Sequence, residues 1–226
     1  MEVSTVTARF GAPYISDEAS YAVGAHAALD AWAAALAGTP GQAQAESQAP
    51  DAVLIGCFGD PGLLALRESS PVPVTGLAEA SFIEAARHGR FAIVTGGERW
   101  GPMLQRLAEA LGQGPLLAGI HTVAPTGAQL AADPVAARAL LSQACNEAAR
   151  RFGVQTVILG GAGLAGMAAM IQPGLDVPVI DSVLAGTRWA LRGDTPPAQR
   201  DKPGFDVRWG GLSPELTALG LPRVEA

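Results

Sequence analysis

Two stretches of this chain follow one pattern, and a pattern written twice limits the fold to one that can be built from two like halves. Val53-Leu54-Ile55-Gly56-Cys57-Phe58-Gly59-Asp60-Pro61-Gly62 runs on to Val72-Pro73-Val74, while Val157-Ile158-Leu159-Gly160-Gly161-Ala162-Gly163-Leu164-Ala165-Gly166 runs on to Val177-Pro178-Val179. Cys57 and Gly161 are 104 residues apart (161 − 57), as are Gly62 and Gly166 (166 − 62), and Pro73 and Pro178 are 105 apart (178 − 73). Only the first copy has a cysteine, so the repeat sets a single thiol in a duplicated loop and points to a site between two halves.

Strand and helix signals alternate along the chain. Residues 3–7 are a short β-rich run, and residues 18–36 are alanine-rich and helical after Ser16 and Asp17, both suited to an N-cap. The Gly, Pro, Gln and Ser of 38–50 read as a loop. Residues 52–55 predict a strand, after which Asp60-Pro61 offers an N-cap residue and a proline at the first helical position. A strand at 72–74, a helix at 77–88 and a strand at 91–94, closed by Thr95-Gly96-Gly97, follow. Beyond them come a helix at 100–111, a strand at 116–123, a helix from Asp133-Pro134 to about Phe152, and strands at 154–159 and 177–180. Such alternation predicts an α/β fold with parallel sheets covered on both faces. The tail from about Arg192 reads as loop, with an edge strand expected over 205–209. The second half has two strand–helix units before Gly161 and the first has one before Cys57. The chain is therefore expected to start one βα unit late, through a short N-terminus or a lost strand.

Composition removes several function classes. With 226 residues, 49% of them hydrophobic, core material is ample for one domain or two small ones. A formal net charge of −6 without any Lys/Arg cluster argues against nucleic-acid binding. Two cysteines, Cys57 and Cys145, give no disulfide framework, and Met1-Glu2-Val3-Ser4 does not open a signal peptide, so a reducing cytoplasm is the expected setting. Residues 153–175 contain no charge, but glycines at 160, 161, 163 and 166 and Pro173 break the run into a buried strand, a loop and a short helix rather than a membrane span.

Chemistry concentrates at the loops. Cys57 lies between a strand's carboxyl end and a predicted helix start, where amide N–H groups and the helix dipole favour thiolate and a lowered pKa. Cys145 falls inside an amphipathic helical stretch. Gly161-Ala162-Gly163-Leu164-Ala165-Gly166 matches G-x-G-x-x-G after a strand, with Asp181 twenty residues past Gly161, the outline of a dinucleotide site. Duplication with the Cys57 loop and the helix-breaking Pro173 explain the same glycines without a nucleotide. Thr95-Gly96-Gly97 is placed to hold a carboxylate on backbone amides, or is a plain βα turn. His26, His88 and His121 are scattered and have no metal-ligand spacing. Neither a G-x-S-x-G elbow nor a G-x-x-x-x-G-K-[ST] loop is present.

The paired loops, the Val-Pro-Val closings, Phe91-Ala92-Ile93-Val94-Thr95-Gly96-Gly97 and Val179-Ile180-Asp181 together resemble the aspartate/glutamate/hydantoin racemase superfamily over roughly residues 3–190. The resemblance implies two pseudosymmetric α/β domains that place one cysteine from each half on opposite faces of a substrate's α-carbon, one as base and one as acid, without cofactor. Cys57 carries over as the catalytic thiol. The second position is Gly161, which has no group to transfer a proton, and two-base racemisation needs two such groups. An Asn-containing loop after the family's first strand has no counterpart in this chain. A single cysteine also resembles the arylmalonate decarboxylases of the same superfamily, although theirs sits in the second half.

The expected architecture is two flavodoxin-like lobes of pseudo-twofold symmetry, residues 1–78 with 182–226 and residues 79–181, with the ligand cleft between them. Cys57 is the expected catalytic residue. Phe58, Gly59, Asp60, Thr95, Gly96, Gly97, Gly161, Ala162 and Gly163 are the expected substrate contacts, with residues 122–127 lining the same cleft. A cofactor-independent racemase or isomerase acting on a small carboxylate or hydantoin is the first reading, with no metal, no nucleic acid, no membrane and a homo-oligomeric assembly. A one-thiol decarboxylase, a non-catalytic carboxylate-binding protein and, more distantly, an NAD(P)-binding protein stand beside it.

Overall fold

A computed structural model describes residues 2–37, 50–192 and 209–219. The chain forms α1 (Glu18–Ala37), β1 (Val53–Ile55), α2 (Leu63–Ser69), β2 (Val74–Gly76) and α3 (Leu77–Ala86). It continues through β3 (Phe91–Gly96), α4 (Trp100–Ala110), β4 (Leu117–Val123), α5 (Gly127–Ala132) and α6 (Pro134–Phe152). β5 (Val157–Gly160), α7 (Met167–Ile171), β6 (Val179–Asp181), α8 (Ser182–Arg192) and α9 (Pro214–Leu219) complete it.

β3, β4, β5 and β6 make one four-stranded parallel sheet in the order β4-β3-β5-β6, and β1 and β2 make a two-stranded sheet. The α/β reading with parallel strands is thus what the chain forms. All six residues of β3 are buried, as befits an interior strand covered on both faces. Pleating divides its side chains. Ala92 and Val94, with Val157 and Leu159 of β5, pack into a core that includes Leu141, Ala144 and Cys145 of α6 and Met167 and Ile171 of α7. Phe91 stacks instead on Phe82 of α3, ring centroids 5.8 Å apart.

Local signals explain where the helices begin. Asp133 accepts a hydrogen bond from the Ala136 amide at 3.1 Å and Pro134 opens α6, as the Asp-Pro pair predicts. Thr126 caps α5 reciprocally with Gln129: the Gln129 amide donates to Thr126 Oγ1 at 3.2 Å, and the Thr126 amide donates to Gln129 Oε1 at 2.8 Å. The other Asp-Pro pair behaves differently. α2 starts at Leu63 behind a left-handed Gly62, and Asp60 does not cap it. Residues 3–7 are exposed and form no strand, because a β-rich run without a neighbouring strand has nothing to pair with. The loop expected over 38–50 and the edge strand expected over 205–209 lie almost wholly outside the described residues, whereas the tail expected as loop from Arg192 contains α9 in its described part, started by Ser213, whose Oγ accepts from the Leu216 amide at 3.2 Å, and by Pro214.

Two compact units result: residues 1–53, 61–74 and 193–226 form one, and residues 54–60 and 75–192 the other. The second unit therefore takes in residues 54–60, 75–78 and 182–192 beyond the 79–181 expected of the second lobe. In the first unit, Arg9 reaches Asp30 of α1 at 2.9 and 3.0 Å and Glu215 of α9 at 3.1 and 3.3 Å. Among the described residues no helix is long and apolar enough to cross a membrane.

Candidate functional site

Parallel register brings the strand ends level. Thr95 of β3 faces Thr122 of β4 and Gly160 of β5, Gly96 faces Val123, and Leu159 faces Asp181 of β6. The loops leaving these strands open from the sheet's carboxyl edge, where ligands bind in open parallel sheets. They also approach one another closely. A Cβ added at Gly96 would lie 2.6 Å from the Pro125 carbonyl oxygen, and one at Gly163 3.2 Å from that of Gly127. The Cys57 loop joins them through Phe58, whose ring occupies the space a side chain at Gly160 would need. That ring also meets Phe82 edge-on, with centroids 6.4 Å apart. Residues 57–60, 95–97, 122–127 and 161–163 all belong to the second unit.

Exposure sorts the expected site residues into two groups. Cys57, Gly97 and Gly161 are half-buried, and Ala162 and Gly163 are exposed. Phe58, Gly59, Asp60, Thr95 and Gly96 are buried. Gly59 is held at φ 144° with the Trp100 ring where its side chain would be.

The Cys57 thiol departs from expectation. Its pKa is pushed up to about 12, by burial first and by the neighbouring Asp60 charge second. The lowered value rested on a helix start close to the thiol, and α2 begins only at Leu63. The start of α3 is occupied by Asp60 instead: Oδ1 accepts from the Ala78 amide at 2.9 Å and Oδ2 from the Glu79 amide at 2.7 Å. Asp60, 1% exposed, has its own carboxyl raised to about 7 by burial, against the pull of those amides. Cys145 is fully buried in the core under α6, and burial raises its thiol to about 12 as well.

Exposure therefore decides which thiol reacts. Iodoacetamide is expected to label Cys57 before Cys145, slowly at pH 7, with a rate that rises about tenfold per pH unit and a midpoint above the free-cysteine value of about 8.5. Mass mapping of the labelled peptides across a pH series measures it, and first labelling at Cys145 is the contrary result.

At the duplicated loop, Gly161 has φ 147° and ψ 127°, a backbone that L side chains rarely adopt. Its amide donates to Ser182 Oγ at 3.2 Å. A Cβ there would lie 3.3 Å from both Cγ and Cδ1 of Leu164. Residues Ala162–Leu164 form a 3-10 turn, and α7 has only five residues. Asp181 takes the Gly166 amide on Oδ2 at 2.7 Å and the Val183 and Leu184 amides on Oδ1 at 2.9 and 3.0 Å. A dinucleotide fingerprint requires a long helix starting at the glycines, and the helix behind this loop has five residues. Ser182 was not singled out from the sequence, although an Asp-Ser pair at a strand end is a recognisable helix start.

The family model for Asp/Glu/Hydantoin racemase matches residues 1–190. A hydantoin racemase of Pseudomonas sp. (strain NS671) is 36% identical over 146 residues, which is 64% of this chain and 59% of that protein. The chain spans 59–61% of the length of the hydantoin racemases it matches. Among solved structures, allantoin racemase from Klebsiella pneumoniae superposes with a TM-score of 0.72 at 31% identity, over 82% of this chain and 72% of that one. Allantoin racemase from Pseudomonas fluorescens superposes with a TM-score of 0.76 at 23% identity, over 100% and 86%, which speaks for the fold.

Proposed function

The chain belongs to the Asp/Glu/Hydantoin racemase family, and from that premise we propose that it is a cofactor-independent isomerase working at the α-carbon of a hydantoin-type ring or a small carboxylate. The observation that carries this reading is Cys57, a half-buried thiol on a loop whose next residue, Phe58, packs its ring against Gly160 at the carboxyl end of β5. In a hydantoin the ring carbon next to the carbonyl bears an acidified hydrogen. The Cys57 thiolate takes it as a proton, the electron pair moves onto the carbonyl oxygen, and loop amides stabilise the resulting enolate. A proton delivered to the face opposite Cys57 restores the carbonyl with the centre inverted, whereas return of the proton by Cys57 itself restores the starting enantiomer. Because the resting thiol is protonated, its base form is scarce at neutral pH and turnover is expected to rise with pH. The hydantoin and allantoin racemases among its relatives support a ring substrate over an open-chain amino acid.

A second reading rests on Gly161. With one thiol and a glycine-type backbone at the repeated position, the site can deliver a proton to one face of a planar intermediate, which is what a decarboxylase needs after carbon dioxide leaves. Incubation in deuterium oxide separates the two. The isomerase reading expects deuterium at the α-carbon of a hydantoin together with loss of optical rotation. Carbon dioxide release from a malonate without exchange would favour decarboxylation, and neither reaction across a panel of hydantoins, amino acids and malonates would leave a binding protein.

A further inference from the structure

The two halves of the repeat solve one problem in two ways. In the second half, Asp181 ends β6 and its carboxylate caps α8 through the amides of Val183 and Leu184. With the offset of 105 that relates Pro73 to Pro178, the matching positions in the first half are Gly76 (181 − 105), Ala78 (183 − 105) and Glu79 (184 − 105). The amides of Ala78 and Glu79 are capped in the same manner, but by Asp60, which comes from the Cys57 loop. Position 76 is glycine, and a Cβ built there would land on the Asp60 carboxylate. The backbone of Gly76, φ −120° and ψ 167°, is extended and would accept any residue. The Asp60 carboxylate is what a side chain there would meet first.

We infer that Asp60 is a positioning residue, whose carboxylate ties the Cys57 loop to the start of α3 and performs from the loop the capping that Asp181 performs from the strand end. The backbone bears the mark of this tether. Asp60 has φ 51°, the one non-glycine residue with positive φ among those described, and such a conformation persists where surrounding bonds over-determine it. Its amide donates to the Cys57 carbonyl at 3.1 Å, closing the turn that holds the thiol. The chain thus gives up a side chain at 76 so that the cap can come from the loop holding Cys57. The positioning role rests on the reading of Cys57 as the reactive thiol; the exchange of caps between halves does not.

Both halves of this inference are tested without measuring turnover. Thermal unfolding of Asp60→Ala, Gly76→Asp and the double variant tests the exchange. Each single variant is expected to lower Tm by about 3–8 °C, one by losing a cap and the other by crowding two carboxylates into one space. The double variant restores an aspartate at the strand end, where the second half keeps its own, and is expected to recover more than half of the summed loss. Additive losses would overturn the exchange. Iodoacetamide labelling of Cys57 in a Cys145→Ala background tests the positioning. Asp60→Ala, and Asp60→Asn should the alanine variant fail to fold, is expected to raise the rate at least fivefold at pH 8 and shift the midpoint downward. A pH profile superimposable on that of the parent would overturn it. If the tether behaves as described while the deuterium experiment finds no exchange on any substrate, the functional reading fails and this one stands.

Discussion

Replacing Cys57 with alanine is expected to reduce α-hydrogen exchange by about 10²–10⁴-fold, the usual worth of a positioned acid–base group. The loss should appear in kcat, because the thiol acts on the α-hydrogen rather than on the groups that hold the substrate. Stability should change little, because the thiol is half-buried, whereas that of Cys145 is fully buried in the α6 core. Deuterium incorporation by mass spectrometry, with circular dichroism on the same samples, reads both quantities. Exchange within threefold of wild type in a folded Cys57→Ala protein would remove this residue from the mechanism. Cys145→Ala serves as the contrast, costing stability in the α6 core while leaving exchange in place.

Gly161→Cys is expected to act in the opposite direction on chemistry and to cost stability. A thiol at 161 would supply the second acid–base group, and at least a tenfold rise in the rate of loss of optical rotation is expected from the double-thiol protein. The substitution must leave a glycine-type backbone at φ 147° or endure it, and must clear Leu164 at 3.3 Å, so a loss of about 1–3 kcal/mol accompanies the gain. Chiral chromatography and denaturant unfolding measure the two together. A wild type that already racemises rapidly in both directions, with no gain in the variant, would mean that another group faces the α-carbon from the far side.

The parallel sheet was legible because its strands are short apolar runs closed by glycine, at 91–96 and 157–160 above all, and because a helix with an Asp-Pro start at 133–134 separates two of them; the short helix α5 behind Thr126 was not read. The family too was legible in the repeated glycine loops. What escaped was long-range. Asp60-Pro61 has the local form of a helix start, yet its carboxylate caps a helix eighteen and nineteen residues further on, and capping rules read only neighbours. The raised pKa of the thiol was not legible either, because the helix expected beside it starts only at Leu63 and because burial, which no local motif reports, is the larger cause. Residues 3–7 failed for another reason: β-propensity describes a fit to a pleated neighbour, and among the described residues none pairs with them. The positions of Gly76 and Asp181 in the repeat were visible in the sequence, but their exchange of roles needed the distance between Asp60 and α3.

The strand order β4-β3-β5-β6 bears on how the chain assembles as it is synthesised. β3 leaves the ribosome first of the four and becomes an interior strand. β4 then adds to one side of it, β5 to the other, and β6 to the exposed edge of β5. Each newcomer finds an open edge already in place, and none has to force its way between strands that are already bonded. A parallel sheet normally forms slowly, because its contacts are distant along the chain. This order allows the sheet to grow outward as it is translated, each new strand adding to an edge already present, with β4 and β6 left as its outer strands.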